Sequence, residues 1–279
     1  METTRPSLLH SNLLLLHCIY NRFMLEVVVG VAGLTTVVAA GYQTMAPTGQ
    51  WYGRTFTGLG RKSKQLALTY DDGPNDPHTL RLLELLAKHK VRATFFVIGR
   101  FVAQRPDIVR ELVRAGHEVG NHTFSHPNLI FVSSERTHKE IADCQQALLE
   151  ATGESPRLFR PPFGGRRPGT LQIARRLGLE PVMWNVTGYD WNAPSADRIV
   201  AKVSRQIRGG NVILLHDGSY VRMGANRAQT VVATDQIIAR CKSQGCEFMT
   251  VGEMMGRGTT LPKPRLDADP AMRQRPGVG

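Results

Sequence analysis

Short runs of apolar and β-branched residues alternate along the chain with longer segments whose apolar residues recur every three or four positions, from Gln65 to about Val251. The short runs have the length of buried strands, and the longer segments have the period of amphipathic helices. This alternation is typical of an α/β fold with a parallel sheet. The pattern predicts seven strands, at Leu66–Tyr70, Ala93–Ile98, His117–Gly120, Leu158–Arg160, Pro181–Val186, Asn211–Leu215 and Glu247–Val251.

The segments between these strands carry signals for the beginnings and ends of helices. Residues 108–113 and 199–207 have helical spacing, and Gly116 and Gly209 follow them where a helix C-cap is expected. Pro106 lies where the first turn of the earlier helix would begin. We therefore expect helices to cover the sheet between successive strands.

Polar residues with catalytic or metal-binding side chains follow several of the predicted strands. Active sites of α/β barrels form where the carboxyl ends of parallel strands meet, so residues far apart in sequence can converge there. The candidates are Asp71 and Asp72 after the first strand, His122 and His126 after the third, Arg160 at the end of the fourth, Asp190 after the fifth and His216 after the sixth.

The adjacent Asp71 and Asp72, together with His122 and His126, indicate a divalent-metal site with a spare base. One Asp and two His supply three ligands, which leaves room on the ion for water and substrate. The second Asp remains free to take a proton. Pro127 disfavours helical geometry at His126, so we expect a short turn here and not a metal-binding helix.

The N-terminus contains a long apolar segment, residues 27–41, preceded by Arg5 and Arg22. We expect residues 24–43 to form an uncleaved signal anchor, with the rest of the chain outside the cell membrane. A cleaved signal peptide with a secreted product, and a buried helix of a soluble protein, are the alternatives. Met24 is also a plausible start, which makes residues 1–23 an uncertain extension.

The 279 residues, 42% of them hydrophobic, suit a single large domain. We expect a linker at 44–64, the domain at 65–255 and a disordered basic, Pro-containing tail at 256–279. The net charge of +12 favours an anionic partner such as a membrane surface or an acidic polymer. Nucleic acid is not expected, because no Lys/Arg run interleaved with aromatics and no zinc-finger spacing occurs.

Five segments, in this order, resemble the motifs of the polysaccharide deacetylase family with the NodB homology domain, also called carbohydrate esterase family 4. The resemblance covers about residues 64–253. It implies a single distorted (β/α)7 TIM-like barrel, a divalent metal, and removal of acetyl groups from sugars. Zinc is the expected ion, with cobalt, nickel or manganese as alternatives. The segments are Thr69–Pro74 (TYDDGP), His122–His126 (HTFSH), Arg160–Gly164 (RPPFG), Asp190-Trp191 and Ile213–His216 (ILLH).

The resemblance also implies roles for individual residues. It makes Asp72, His122 and His126 the metal ligands and Asp71 the general base that deprotonates the attacking water. Arg160 would pair with Asp71 and aim it.

The remaining motifs imply an oxyanion donor, an acid and a pocket. The backbone N–H of Phe163 would bind the oxyanion. His216 would protonate the leaving amine, oriented by Asp190. Trp191 and Leu214 would form the walls of a pocket for the acetyl methyl group.

Two positions depart from the usual family motifs. Phe163 stands where the family often has Tyr, which preserves a backbone donor but removes a hydroxyl. Thr187 stands where an Asp usually precedes Asp190 by three residues.

We therefore expect a metal-dependent hydrolase that removes N-acetyl groups from an amino-sugar glycan, peptidoglycan or a chitin-like polymer. An O-acetylated xylan-type polymer and an acylated lipid-linked sugar are alternative substrates for the same site. A non-catalytic carbohydrate-binding protein is a third interpretation, disfavoured because every proposed catalytic side chain is present.

Overall fold

The computed structural model describes residues 8–192 and 194–256, with side chains from Leu16 onward except that of Cys18. Its strands are β1 Gln65–Gly73, β2 Thr94–Val97, β3 Glu118–Asn121, β4 Leu158–Phe159, β5 Glu180–Pro181, β6 Val186–Thr187, β7 Val212–His216 and β8 Glu247–Phe248. Its helices are α1 Leu8–Met45, α2 His78–His89, α3 Gly99–Gln104, α4 Pro106–Arg114, α5 Ser134–Thr152, α6 Pro168–Arg176, α7 Ala196–Gln206, α8 Ala228–Ser243 and α9 Val251–Met254. Two short 3-10 turns lie at Pro162–Gly164 and Asp190–Asn192.

The described chain divides into two compact units, which separate between residues 44 and 45. The first unit is most of α1, an uninterrupted helix. Its segment Ile19–Met45 has 27 residues and contains an 18-residue window with a mean hydropathy of 2.1, and it is long and apolar enough to cross a membrane. At 1.5 Å per residue this segment is about 40 Å long, more than the hydrocarbon core of a bilayer.

The second unit is a curled parallel sheet covered by helices, which confirms the predicted α/β barrel class. The strands lie in the order β5-β4-β3-β2-β1-β7-β6, and β8 pairs with the beginning of β1. All of these strand pairs are parallel. The carboxyl ends of the strands therefore share one end of the barrel, as predicted from the sequence.

Alternation along the strands separates two apolar layers. In β1, Leu66, Leu68 and Tyr70 pack with the covering helices, whereas Ala67 belongs to a second cluster inside the curl of the sheet. Successive side chains of a strand point to opposite faces, so Thr69 and Asp71 share the inner face with Ala67. The interior therefore changes from apolar to polar toward the carboxyl ends of the strands.

The strand predicted at residues 181–186 is wrong as one element. It is two strands of two residues, β5 and β6, on opposite edges of the sheet. The predicted last strand is also shorter, because Thr250 caps α9 through a capping box with Glu253. Both differences arise where local turn or cap chemistry interrupts an apolar run.

Part of the segment predicted as a linker pairs with the barrel between the sheet edges. The N–H of Phe56 donates to Pro181 O at 3.0 Å, and Met183 N–H donates to Phe56 O at 2.8 Å. Further along, Leu59 N–H donates to Gly210 O at 2.7 Å. These bonds bring residues 56–59 into the space between β5 and β7.

Candidate active site

The two carboxylates at the end of β1 face the same site although they are adjacent in sequence. The pairing of β1 with β2 shifts register between Asp71 and Gly73, and Asp72 adopts φ 73°, in the left-handed region. His122 Nε2 lies 3.8 Å from Asp71 Oδ2 and 3.6 Å from Asp72 Oδ1. Because of this irregularity, Asp71 and Asp72 do not point to opposite faces of the sheet, as adjacent residues of a regular strand would.

Asp72, His122 and His126 form a buried group that could hold a metal ion. Their ligand atoms all lie within 4.8 Å of one another. His126 Nε2 is 3.2 Å from Asp72 Oδ1, but Asp72 Oδ1 has no hydrogen-bond partner within the described chain. A buried carboxylate oxygen without a donor, facing two imidazole nitrogens, fits a divalent cation, and this donor set suits zinc.

The surroundings of His122 leave its Nε2 free to act as a ligand. Its Nδ1 lies 2.7 Å from the carbonyl oxygen of Arg160, so Nδ1 carries the proton and donates it there. Burial lowers the pKa of His122 to about 4, which keeps the ring neutral. Burial by itself raises the pKa of Asp72, but the neighbouring His126, His216 and His122 outweigh it and lower the pKa overall.

Asp71 is held by Arg160, a fully buried arginine with 0% exposure. Arg160 Nη1 donates to Asp71 Oδ1 at 2.7 Å and to Thr69 Oγ1 at 2.8 Å. The guanidinium stacks over the ring of Phe96 at 4.0 Å. These contacts leave the Asp71 carboxylate little orientational freedom.

His216 and Asp190 form a second pair at the same end of the barrel, in which Asp190 is buried and His216 is partly buried. His216 Nδ1 is 2.8 Å from Asp190 Oδ1, and Asp190 Oδ2 accepts from His216 N–H at 2.8 Å and from Thr230 Oγ1 at 2.9 Å. Burial by itself lowers the pKa of His216, but Asp190, with smaller contributions from Asp72 and Asp71, raises it to about 9. The imidazole is therefore protonated at neutral pH.

The three predicted pocket residues also lie at this end of the barrel. Phe163 adopts φ 58°, and its ring, 44% exposed, contacts the His126 ring edge-on at 4.7 Å. Trp191, 45% exposed, lies 5.4 Å from the His216 ring. Leu214 is buried on the same face of β7 as His216, two residues away.

Sequence reasoning missed Tyr220, an aromatic residue at the mouth of the site. Its ring stacks on His126 at 4.7 Å with an interplanar angle of 12° and meets Phe163 at 5.2 Å. It is 42% exposed. The available signal was an aromatic residue four positions after His216, in the loop that follows the same strand.

Sequence reasoning also missed Asp217, which packs against Gly73 at the end of β1 and accepts a hydrogen bond from Asn75 Nδ2 at its carbonyl oxygen. It is fully buried and accepts a hydrogen bond from Thr79 Oγ1. Burial, followed by the nearby Asp72 and Asp71, raises its pKa to about 7. Its position next to His216 was the only sequence signal.

Comparisons with known proteins show which family the chain resembles. A sequence profile described as polysaccharide deacetylase matches residues 59–182. A peptidoglycan-N-acetylglucosamine deacetylase of Bacillus cereus is 37% identical over 194 residues, 69% of this chain and 88% of that protein. A chitooligosaccharide deacetylase of Sinorhizobium fredii is 38% identical over 200 residues, 70% of this chain and 93% of that protein.

The fold and site define an α/β barrel with a candidate metal centre at the carboxyl ends of its strands. The comparisons place it more closely: the chain belongs to the polysaccharide deacetylase family, which confirms the resemblance in its motifs. The peptidoglycan-N-acetylglucosamine deacetylase PgdA of Listeria monocytogenes is 34% identical over 207 residues. That match covers 74% of this chain but 42% of the Listeria protein, so the chain spans less than half of that relative.

Solved structures similar to this chain include both a deacetylase and a protein described as a pseudoenzyme. The peptidoglycan N-acetylglucosamine deacetylase Bc1960 matches with a TM-score of 0.69 and 34% identity, covering 74% of this chain and 94% of its own. BA3943 of Bacillus anthracis, described as a CE4 family pseudoenzyme, matches with a TM-score of 0.66 and 30% identity, covering 72% and 69%. Activity therefore depends on which residues the site contains.

Proposed function

We propose that this protein is a metal-dependent deacetylase that hydrolyses the N-acetyl group of an amino-sugar glycan, giving acetate and a free amine. One observation carries the proposal. A buried Asp-His-His group, a carboxylate aimed by a buried arginine and a histidine paired with a buried aspartate all lie at one end of the barrel. Amide hydrolysis needs an electrophilic centre, a base and an acid arranged in this way.

The metal ligands in this proposal are Asp72, His122 and His126. A divalent cation, most simply zinc, supplies Lewis-acid polarisation of the acetamide carbonyl and acidifies a nearby water. The protein contributes by orienting His122, because the Arg160 carbonyl accepts the Nδ1 proton and leaves Nε2 free for the ion.

Asp71 acts as the general base that takes a proton from the attacking water. Its second oxygen faces the candidate metal group, whereas its first is fixed by Arg160. The Phe163 backbone N–H donates to the oxyanion that forms on the carbonyl oxygen. The positive φ of Phe163 and its contact with His126 support this assignment, because they bring the loop against the ligand group.

His216 acts as the general acid that protonates the departing nitrogen. Asp190 holds the Nδ1 proton, so Nε2–H remains available for donation. Trp191 and Leu214 flank His216 and form the apolar side of the site that would receive the acetyl methyl group.

Deacetylation is expected to fall as the pH rises through the pKa of His216, because a general acid must be protonated. The pKa is about 9 without metal. A cation beside Asp72 offsets part of the negative charge that contributes to this value, so the midpoint in the loaded enzyme lies below 9. A pH–rate profile of kcat measures it. Asp190→Asn should move this alkaline limb of the profile to lower pH. The control Asp197→Asn, at an exposed position on α7, should leave the limb unchanged. If the limb does not move in Asp190→Asn, His216 is not the acid.

The His216–Asp190 pair also predicts how the thermal stability of the metal-free protein depends on pH. The folded pKa of His216 is raised from 6.5 to about 9, so its stabilising contribution is complete below pH 6.5 and is lost as the pH rises through about 9. The Tm of the metal-free protein should therefore decrease over that interval. This decrease should be absent in Asp190→Asn.

We propose peptidoglycan or a chitin-like oligomer as the substrate class, because relatives named for both substrates match the chain over most of their own length. The apolar helix supports a membrane-anchored protein with its catalytic domain outside the cytoplasm. An O-acetylated polymer or an acylated lipid-linked sugar would use the same chemistry. A non-catalytic role is disfavoured because the proposed base, acid and ligand side chains are all present at the same end of the barrel.

The proposal is tested by acetate release from the full chain in detergent. N-acetylglucosamine oligomers, peptidoglycan, acetylated xylan and a lipid-linked N-acetylated sugar serve as substrates, each with chelator and with chelator followed by zinc. We expect chelator-sensitive release, restored by zinc, from at least one N-acetylated glycan. Release from xylan alone would change the reaction to O-deacetylation, and no release despite bound zinc would contradict the proposed activity.

A further inference from the structure

Arg166 is a buried arginine two residues beyond the Phe163–Gly164 turn, and the proposed chemistry does not use it. It is 1% exposed. Its Nη1 donates to Gly164 O at 3.0 Å, and its Nη2 donates to Ala46 O and Gly49 O at 2.7 Å each. One guanidinium therefore joins the active-site turn to residues that directly follow the apolar helix.

We call residues 46–55 the strap. Gly49 N–H donates to Ala46 O at 3.0 Å, so the strap begins with a tight turn. A side-chain clip then closes it, since Thr55 N–H donates to Gln50 Oε1 at 2.8 Å and Gln50 Nε2 donates to Thr55 Oγ1 at 3.0 Å. The next residue, Phe56, is paired with the barrel edge. The strap is thus a folded segment with fixed ends.

The turn that Arg166 holds is tightly packed on its other sides. A Cβ on Gly164 would lie 3.0 Å from Trp184, and a Cβ on Gly165 would lie 3.0 Å from both Asn128 and Ile130. Phe163 adopts φ 58°, an unfavourable conformation for a residue with a side chain. A residue keeps such a backbone conformation only where surrounding contacts hold it in place. Arg166 provides the contact between this turn and the strap.

A buried guanidinium bonded to neutral carbonyls is an unfavourable way to fill space, because burying its charge carries a desolvation penalty. The three acceptors come from two chain segments that are more than a hundred residues apart. Its planar array of donors can fix their relative position, which an apolar side chain of equal volume cannot.

We propose that Arg166 is a positioning residue that ties the strap to the Phe163 turn and so keeps the Phe163 N–H aimed at the reacting carbonyl. This inference rests on the proposed function for its kinetic consequence. The strap then helps to position the active-site turn that contains Phe163.

The test uses full-length Arg166→Gln and Arg166→Lys in detergent. Displacing a positioned group by about 1 Å lowers rates by up to about 100-fold, so we expect kcat to fall roughly 10- to 100-fold in Arg166→Gln with KM changed less than about 3-fold. Arg166→Lys should recover part of the loss because it keeps the charge and some donors. Zinc affinity should stay within about 2-fold of the wild type, since no ligand contacts Arg166.

Gln50→Ala opens the strap clip at an exposed position that is not expected to prevent folding. It should lower kcat in the same direction by a smaller factor. Arg176→Gln, an exposed arginine on α6, removes the same charge and should leave kcat unchanged. Hydrogen exchange by mass spectrometry should show faster exchange in the peptide covering residues 162–166 for Arg166→Gln and Gln50→Ala only.

The hydrogen-exchange result keeps this inference separate from the proposed function. If the wild type releases no acetate, the proposed function fails, while exchange at residues 162–166 still tests the tie. If exchange there and kcat both match the wild type in Arg166→Gln and Gln50→Ala, the inference is overturned. A proportional loss of zinc affinity and kcat would also overturn it, because that result describes general disruption of the site.

Discussion

Asp71→Asn is expected to reduce kcat by about 1,000-fold while the protein still binds zinc with nearly wild-type affinity. General bases contribute typically 100- to 10,000-fold to rate, and an amide cannot take the proton from water. The Asn oxygen can still accept the Arg160 hydrogen bond, so the buried guanidinium keeps a partner and the fold is retained. Acetate release and metal content of the same preparation are the measurements.

The matched control for this change is Asp197→Asn, which removes a carboxylate from an exposed position on α7. It should leave both kcat and zinc content unaltered. A near-normal rate in Asp71→Asn would show that another group accepts the proton. Loss of zinc from Asp71→Asn would instead place Asp71 among the ligands.

His126→Ala is expected to abolish both zinc binding and turnover, in contrast to Asp71→Asn. The substitution removes one of three ligands and leaves Asp72 and His122. Loss of only an outer hydrogen-bond partner of a ligand lowers metal affinity by roughly 10- to 100-fold, so loss of a ligand should exceed that range. Zinc titration monitored by calorimetry, with activity at saturating zinc, measures both effects.

His138→Ala provides the control for the second prediction, because His138 is an exposed histidine on α5. It should retain metal and rate. Undiminished zinc affinity in His126→Ala would refute the assigned ligand set even if turnover were lost. Activity restored by millimolar zinc would support a weakened site whose remaining ligands are correctly placed.

The convergence of the site could be predicted because it follows from the order of strands. Asp71, His122, Arg160 and His216 each follow a recognisable apolar run, and parallel strands bring their carboxyl ends together. The turn geometry at His126 was also predictable, because Pro127 follows it; the residue adopts φ 61°, outside the helical region.

The details that position side chains could not be predicted from local patterns. Regular alternation places Asp71 and Asp72 on opposite faces, and only the register shift between Asp71 and Gly73 brings both carboxylates to His122. Tyr220 stacks on His126 through a tertiary contact between two loops, for which a single sequence carries no periodic signal.

Arg166 illustrates a different limit of sequence reasoning. It lies in a run of basic and glycine residues, and its acceptors Ala46 and Gly49 precede the predicted domain altogether. The hydrophobic and polar pattern of a domain cannot predict a contact whose other residues lie outside that domain.

The pairing of residues 56–59 with the barrel has a practical consequence for expression of the catalytic domain. The family match begins at residue 59, which invites truncation there. Such a fragment would lose Phe56 and leave Pro181 O and Met183 N–H, its two partners, as an unprotected sheet edge. Unprotected edges recruit strands from other molecules, so this fragment should aggregate, and a soluble catalytic fragment has to begin upstream of Phe56.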